Sequence, residues 1–330
     1  MEKIKAAIVG LGRIASLLED DALREKPCTH AGAIAASPEC ELVAGCDPDE
    51  GRRRLFARRW GAPTYAGAQE MLERHGPQIL AIAAHPDSRY YYCQLAARMG
   101  VSVVVCEKPL ADSLANARRI AGLGKKIVIM TNHERRYSLD YLRAREILRG
   151  GTLGRLCLAR AALYMGRDKR LLDVLWHDGT HLVDALMFLT DSVLRHRRGG
   201  GAKIAGNKGT AWLEGDLSQK DSREVIAPAL IEVGAGRDHL VFEMEFSCEK
   251  GKLKIGNGIF EIWESAPSPY AENFRSLKLS GETFSGPTGF FANMIADAAA
   301  CARDPSRRPE SGAEDGLRAI EYLRSVGAWK

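Results

Sequence analysis

The sequence predicts an α/β protein, with a doubly wound parallel sheet over residues 1–132 and then an α+β domain with a mostly antiparallel sheet over residues 133–330. Three observations carry that expectation. A chain of 330 residues exceeds the size at which one hydrophobic core usually stops growing, so two domains are the default. The first 130 residues alternate short, continuously apolar runs with longer amphipathic stretches. After Asn132 this alternation stops, and strand-like runs follow one another with a single clear helix among them.

Taken in order, the apolar runs at 4–9, 42–46, 79–83, 101–106 and 127–130 are the expected parallel strands, because strands covered on both faces read as unbroken apolar segments. The stretches 49–60, 68–75, 88–99 and 113–123 have helical spacing and are the expected crossovers. An amphipathic segment over 137–148 ends at Gly150-Gly151, a helix stop. Strands are then expected at 156–164, 229–233, 240–246, 253–255 and 259–263, with a helix over 179–189. The polar stretch 199–222 is the candidate mobile loop. Helices over 290–303 and 313–326 close the chain and are candidates to pack back on the first domain.

Composition narrows the function classes. Hydrophobic residues at 45% and charged residues at 27% exclude wholesale disorder. The net charge, 47 − 42 = +5, is spread along the chain. Its densest clusters are Arg52–Arg54 with Arg58 and Arg59, and Arg195 with Arg197 and Arg198, the latter read as a solvated turn. A nucleic-acid protein would show one strongly basic face, so small anionic molecules are the expected partners. No apolar run approaches the roughly 18 residues that span a bilayer, and no signal-peptide pattern opens the chain, so the expected location is cytoplasmic. The eight cysteines form no C-x-x-C pair and are expected as reduced, packed thiols. Cys28, His30, Cys40 and Cys46 fit no usual zinc spacing, and no metal is expected.

The strand at 4–9 runs into Gly10-Leu11-Gly12-Arg13-Ile14-Ala15, a G-x-G-x-x-A fingerprint. Gly10 permits the tight turn, and Gly12 lets the backbone approach a pyrophosphate at the N-terminus of the following helix. Opening the first strand of an α/β domain, the motif indicates a Rossmann dinucleotide site that includes Arg13 and Ile14. Asp47 ends the second strand, where an acid binds adenosine ribose hydroxyls and repels a 2′-phosphate. NAD is therefore the expected cofactor, with Arg52–Arg54 leaving NADP open. Asp47-Pro48-Asp49 also reads as an ordinary helix-capping turn. Asp47 lies 32 residues beyond Ala15 rather than about 20, which marks the polar segment 17–30 as an insertion.

Beyond the fingerprint, the fifth strand ends in Cys106-Glu107-Lys108-Pro109-Leu110. The second half carries His177-Asp178-Gly179-Thr180-His181-Leu182-Val183-Asp184. In this order the motifs resemble the glucose–fructose oxidoreductase / inositol dehydrogenase (Gfo/Idh/MocA) family, with its E-K-P motif and its D-x-G-x-H-x-x-D block. Weaker similarities run through Arg136-Tyr137, Gly151-Thr152-Leu153-Gly154 and Glu314-Asp315-Gly316-Leu317-Arg318. The resemblance implies that Lys108 stands between substrate and nicotinamide, that Glu107 lies along the cofactor, and that His181 is the acid/base for the substrate hydroxyl. Two departures stand out. His177 replaces the family's acid four residues before His181, with Asp178 shifted one position. In the loop after the fourth strand, Tyr90 takes the usual histidine position, and His85-Pro86 precedes it as a cofactor-side candidate.

The chemistry suits these residue types, because histidine titrates near neutrality and lysine stabilises charge developing on oxygen. Bland alternatives stand beside them. Lys108 could be a solvated strand-end lysine, His181 a core histidine, and His177 either a replacement for the acid or simple packing. His177 and His181 with Asp184 could hold a metal, but Asp178-Gly179 reads as a helix start that leaves His177 outside. The expected function is an NAD(P)-dependent oxidoreductase of a sugar, polyol or sugar-nucleotide alcohol. The alternatives are a redox-neutral hydrolase or epimerase of the same family, or a catalytically silent dinucleotide-binding regulator. A homodimer or homotetramer formed through the second-domain sheet is expected, with no nucleic-acid or membrane partner.

Overall fold

The computed structural model describes residues 2–205 and 208–326, with the backbone alone described over 198–205. The first half contains β1 (Ile4–Val9), α1 (His30–Ala36), β2 (Cys40–Cys46), α2 (Glu50–Trp60), β3 (Thr64–Tyr65), α3 (Ala68–His75), β4 (Ile79–Ile82), α4 (Arg89–Arg98), β5 (Val103–Cys106), α5 (Leu114–Leu123) and β6 (Val128–Thr131). Its sheet has the order β3-β2-β1-β4-β5-β6 and every pair is parallel. Every residue of β4 and β5 is buried, which is why these strands read as unbroken apolar runs. The strand order reverses between β1 and β4, the place where doubly wound sheets open a crevice.

The fingerprint does not run straight into a helix. After one turn from Gly12, a 3-10 segment (Leu17–Asp20) and a loop carry the chain away, and α1 starts only at His30. The carbonyls of Ile14 and Ala15 accept from the amides of His30 and Ala31 at 3.2 and 2.9 Å, so the interrupted helix resumes on its own first turn. The segment 17–30 is thus an excursion out of one helix. Thr29 caps α1 by accepting from Gly32 N, and its hydroxyl donates to Glu19 at 2.6 Å. The carboxylate of Glu19 lies at this helix N-terminus, where the dipole favours an anion. Glu25 takes the amides of Thr288 and Gly289 at 2.8 and 2.7 Å, tying the excursion to the end of the chain.

The second half begins with α6 (Leu139–Gly150) and β7 (Leu156–Met165), followed by the short turn α7 (Leu171–Asp173), a π-helical turn (Val174–Asp178) and α8 (Gly179–Thr190). Then come β8 (Val193–Ala205), β9 (Lys208–Ser218), β10 (Val225–Ala235), β11 (Val241–Cys248), β12 (Gly251–Gly256), β13 (Ile259–Pro267) and β14 (Arg275–Leu279), before α9 (Phe290–Arg303) and α10 (Ala313–Ser325). The eight-stranded sheet has the order β14-β13-β12-β11-β7-β10-β9-β8 and is antiparallel except between β7 and β10. Its central strands bury Phe242, Met244 and Phe246, and the alternating Glu243 and Glu245 pair with Lys254 and Lys252, each at 3.0 Å. Exposed Trp212 and Leu230 lie on the neighbouring strands β9 and β10.

Two expectations are corrected. Within 199–222, the residues 199–205 and 208–218 are strand rather than loop, because pairing of β8 with β9 overrides the low strand propensity of the glycines. Positions 206 and 207 lie outside the described residues. Arg195 and Arg197 are exposed on β8, not in a turn, and the side chain of Arg198 lies outside the described residues. The chain divides into two compact units. One compact unit is Met1–Ser138 with Pro287–Ile320, and the other is Leu139–Gly286 with the residues from Glu321 on. Residues 133–138 and the stretch from Pro287 sit with the first unit because Tyr137, Phe291, Met294, Ile295 and Ala298 complete its core. No helix among the described residues is long and apolar enough to cross a membrane.

Candidate active site

In the first unit, Gly10 has φ +83°, and a Cβ there would lie 2.7 Å from Ala84 N, so only glycine fits this turn. A Cβ at Gly12 would meet no atom of the protein within 4 Å, leaving the open backbone that a pyrophosphate requires. Arg13 is exposed, and Ile14 packs on the core. His85 is exposed, and its carbonyl accepts from the Ser88 amide and hydroxyl.

Asp47 is 2% exposed. One carboxylate oxygen accepts from Leu11 N at 2.8 Å and the other from Asp49 N at 2.9 Å. Arg52 approaches it at 3.6 Å. The strand-end acid therefore fastens the fingerprint turn to β2. Two of its roughly four lone-pair positions remain for hydroxyl donors, so the residues present fit a dinucleotide.

Glu107 follows β5 and is 4% exposed. His30 Nε2 lies 2.8 Å from Oε1, Asn132 Nδ2 donates to the same oxygen, and the Lys108 amide donates to Oε2 at 3.2 Å. Burial by itself pushes the carboxyl up. The His30 hydrogen bond, the charges of His30 and Arg89, and the Asn132 amide outweigh it and hold the group at about 2. An ionised carboxylate only accepts, so His30 carries its proton on Nε2. Lys108, partly exposed, projects from the next residue. Arg89, the first residue of α4 and 5% exposed, donates Nε to Ala84 O at 2.9 Å and Nη1 to the carbonyls of Glu107 and Pro109.

In the second unit, His177 is exposed and His181 half-buried. His177 sits in the π-helical turn Val174–Asp178, and α8 begins at Gly179 with Asp178 at its N-cap, so His177 lies outside the α-helix as the Asp178-Gly179 helix start predicts. The wider turn shifts the register, so spacing in sequence does not put the two imidazoles on one α-helical face. Asp184, three residues beyond His181, is buried. Among the described residues no group of three or more His, Cys, Asp or Glu side chains is arranged to hold a metal ion. Of the cysteines, Cys157 is exposed, Cys248 is intermediate and the other six are buried, all as free thiols.

Two of the weaker motifs meet within the first unit, while Gly151–Gly154 lies in the second. Arg136 pairs with Asp315 at 3.1 Å, and a Cβ at Gly316 would lie 2.5 Å from Thr131 Oγ1. The E-D-G segment thus packs α10 against the end of β6. His30, Asn132 and Arg89 escape the sequence reading, which weighed His30 only as a zinc ligand. Arg89 did leave a signal, since a cation in the first turn of a helix opposes the dipole and calls for compensating acceptors.

Residues 4–129 match the oxidoreductase family described by its NAD-binding Rossmann fold, GFO_IDH_MocA. The inositol 2-dehydrogenase of Rubrobacter xylanophilus is 31% identical over 127 residues, 37% of this chain and 36% of that protein. That of Salmonella typhimurium is 28% identical over 167 residues, 49% of this chain and 46% of that protein. The matched stretches span less than half the length of these curated relatives. A dehydrogenase structure from Chromobacterium violaceum superposes with a TM-score of 0.80, covering 99% of this chain and 95% of that one at 18% identity, a likeness of fold. Over residues 4–129, the chain is similar to the Gfo/Idh/MocA family of oxidoreductases.

Proposed function

We propose that the protein is an NAD(P)-dependent dehydrogenase acting on a secondary alcohol of a sugar, polyol or sugar nucleotide. The observation that carries this reading is the turn at Lys108, where a partly exposed lysine follows a buried, ionised glutamate at the carboxyl edge of a parallel sheet. Ligands of open α/β sheets bind at that edge. When bound, the nicotinamide supplies the hydride acceptor or donor. Lys108 stabilises negative charge developing on the substrate oxygen through its ammonium. His181 takes up or returns the hydroxyl proton at an imidazole nitrogen. Gly10, Gly12, Arg13 and Ile14 form the phosphate turn, with His85 on the neighbouring loop. Asp47 receives the adenosine ribose, which supports NAD, and Arg52 beside it is the residue that would accept a 2′-phosphate.

The two inositol 2-dehydrogenases put a cyclic polyol first among substrates to try. Exposed Trp212 and Leu230 support pairing of two copies through the second-unit sheet, as a homodimer or homotetramer, which light scattering reads directly. The activity test is a panel of polyols, sugars and sugar nucleotides with NAD and NADP, followed at the nicotinamide absorbance. Lys108→Ala and His181→Ala are each expected to lower turnover by about 10²–10⁴ while cofactor affinity holds. If His177 replaces the family's acid, His177→Ala also loses turnover and shifts the pH profile; if it only packs, the folded fraction stays active. Near wild-type turnover in His181→Ala, or cofactor binding with no oxidation of any alcohol tried, would move the protein to the silent dinucleotide binders.

A further inference from the structure

We propose that Arg89 is a positioning residue, whose buried guanidinium joins the loops after β4 and β5 and sets the backbone from which Lys108 projects. The inference rests on the role proposed above for Lys108. Its basis is where the backbone hydrogen bonds on either side of that lysine go.

The Glu107 amide donates to Ile82 O at 3.0 Å, and the Glu107 carbonyl accepts from Arg89 Nη1. The Lys108 amide donates to the carboxylate of Glu107. Pro109 has no N–H to satisfy, and its carbonyl also accepts from Arg89 Nη1. One side chain therefore holds the carbonyls immediately before and after Lys108. Its Nε holds Ala84 O on the adjacent loop. Ala84 also packs so closely on Gly10 that a Cβ there would lie 2.7 Å from its nitrogen, so the loop that the guanidinium holds lies against the fingerprint turn.

A buried cation is costly to desolvate unless its donors are matched. A solvated ion pair at the surface would have been the cheaper use of an arginine. Arg89 instead stands in the first turn of α4, where the dipole opposes a positive charge. The carbonyls it takes are those a planar fork can reach together from one side, which a lysine at the same position cannot do. Glu107 supplies the compensating negative charge nearby.

The test reads Lys108 itself and needs no substrate. Trace acetylation with acetic anhydride across a pH series, quantified peptide by peptide by mass spectrometry, reports the reactivity and titration midpoint of each lysine amine. In Arg89→Met the acetylation rate of Lys108 is expected to change by about threefold or more, with Lys5 and Lys252 unchanged. Once a substrate responds, turnover should fall about 10–100-fold, as for misplacement of a reacting group, with cofactor affinity within about threefold.

Arg89→Lys keeps the charge and is expected to fold, yet not to restore the Lys108 profile. Wild-type labelling of Lys108 in folded Arg89→Met, or full rescue by Arg89→Lys, overturns the proposal. Unfolding of both variants makes Arg89 a residue of folding alone and overturns it too. Failure of Lys108→Ala to lose turnover would instead refute the catalytic role of the lysine and leave the labelling result standing.

Discussion

Asp47 and Glu107 stand just past the carboxyl ends of β2 and β5 in one parallel sheet, both nearly inaccessible to water. Asp47 satisfies its charge with the backbone amides of Leu11 and Asp49 and with a half-exposed arginine at 3.6 Å. Glu107 satisfies its own largely with side chains, His30 and Asn132, drawn from α1 and from the end of β6. The first arrangement shapes a local turn. The second ties three separate segments to the residue beside the proposed catalytic lysine. A carboxylate held by local amides can lose its charge cheaply if an oxygen remains, whereas one held by remote buried side chains cannot.

The largest effect expected from this contrast is in Glu107→Leu. It leaves His30, Asn132 and the Arg89 charge without their anion, and urea denaturation should show a loss of about 3–5 kcal/mol. Glu107→Gln keeps an acceptor and should lose about 1–3 kcal/mol; equal losses in the two variants would mean that the charge contributes nothing.

Next is the acid limb of the stability profile. The folded Glu107 carboxyl titrates at about 2, below its ordinary 4.5. Its contribution is therefore complete above the ordinary value and disappears as the pH falls through about 2. The linkage amounts to ~3 kcal/mol between those limits. Glu107→Gln should remove that part of the slope, and an unchanged acid limb in the variant would show that other groups account for it.

A smaller effect is expected at Asp47. Asp47→Asn retains an oxygen for the Leu11 amide and should lose about 1 kcal/mol, while its preference for NAD over NADP narrows in parallel titrations. Clearly tighter NADP binding by the wild type would refute the ribose assignment. Smallest of all, Arg52→Ala removes a half-exposed partner and should change stability by less than about 1 kcal/mol. It should also weaken NADP more than NAD; a uniform change in both affinities would deny Arg52 any part in reading the 2′ position.

The two sheets differ in how far they could be read. Strand β1, helix α3 and helix α9 coincide with the sequence reading to the residue, because apolar runs and 3.6-residue periodicity register burial directly. In the second unit β8, β9 and β14 were missed. β8 and β9 carry glycines and charges, and β14 is a five-residue edge strand with Arg275 and Lys278 among its residues, a composition that discourages edge pairing. Such strands exist because an adjacent strand offers hydrogen bonds, and that pairing needs no apolar alternation to mark it in the sequence.

By itself the sequence determined the parallel core, the fingerprint turn, the insertion after it and the glutamate–lysine–proline strand end. Each of these is written in contiguous residues, through periodicity, glycine placement or a short motif. Tertiary structure alone decided that the interrupted helix resumes at His30 and that α8 follows a π-helical turn bearing His177. It also decided that His30 and Asn132 converge on Glu107 and that Arg89 grips the carbonyls on either side of Lys108. The Glu107 and Arg89 contacts share one physical reason. A buried charge must find its partners wherever the folded chain presents them, and those partners lie 18 to 77 residues away.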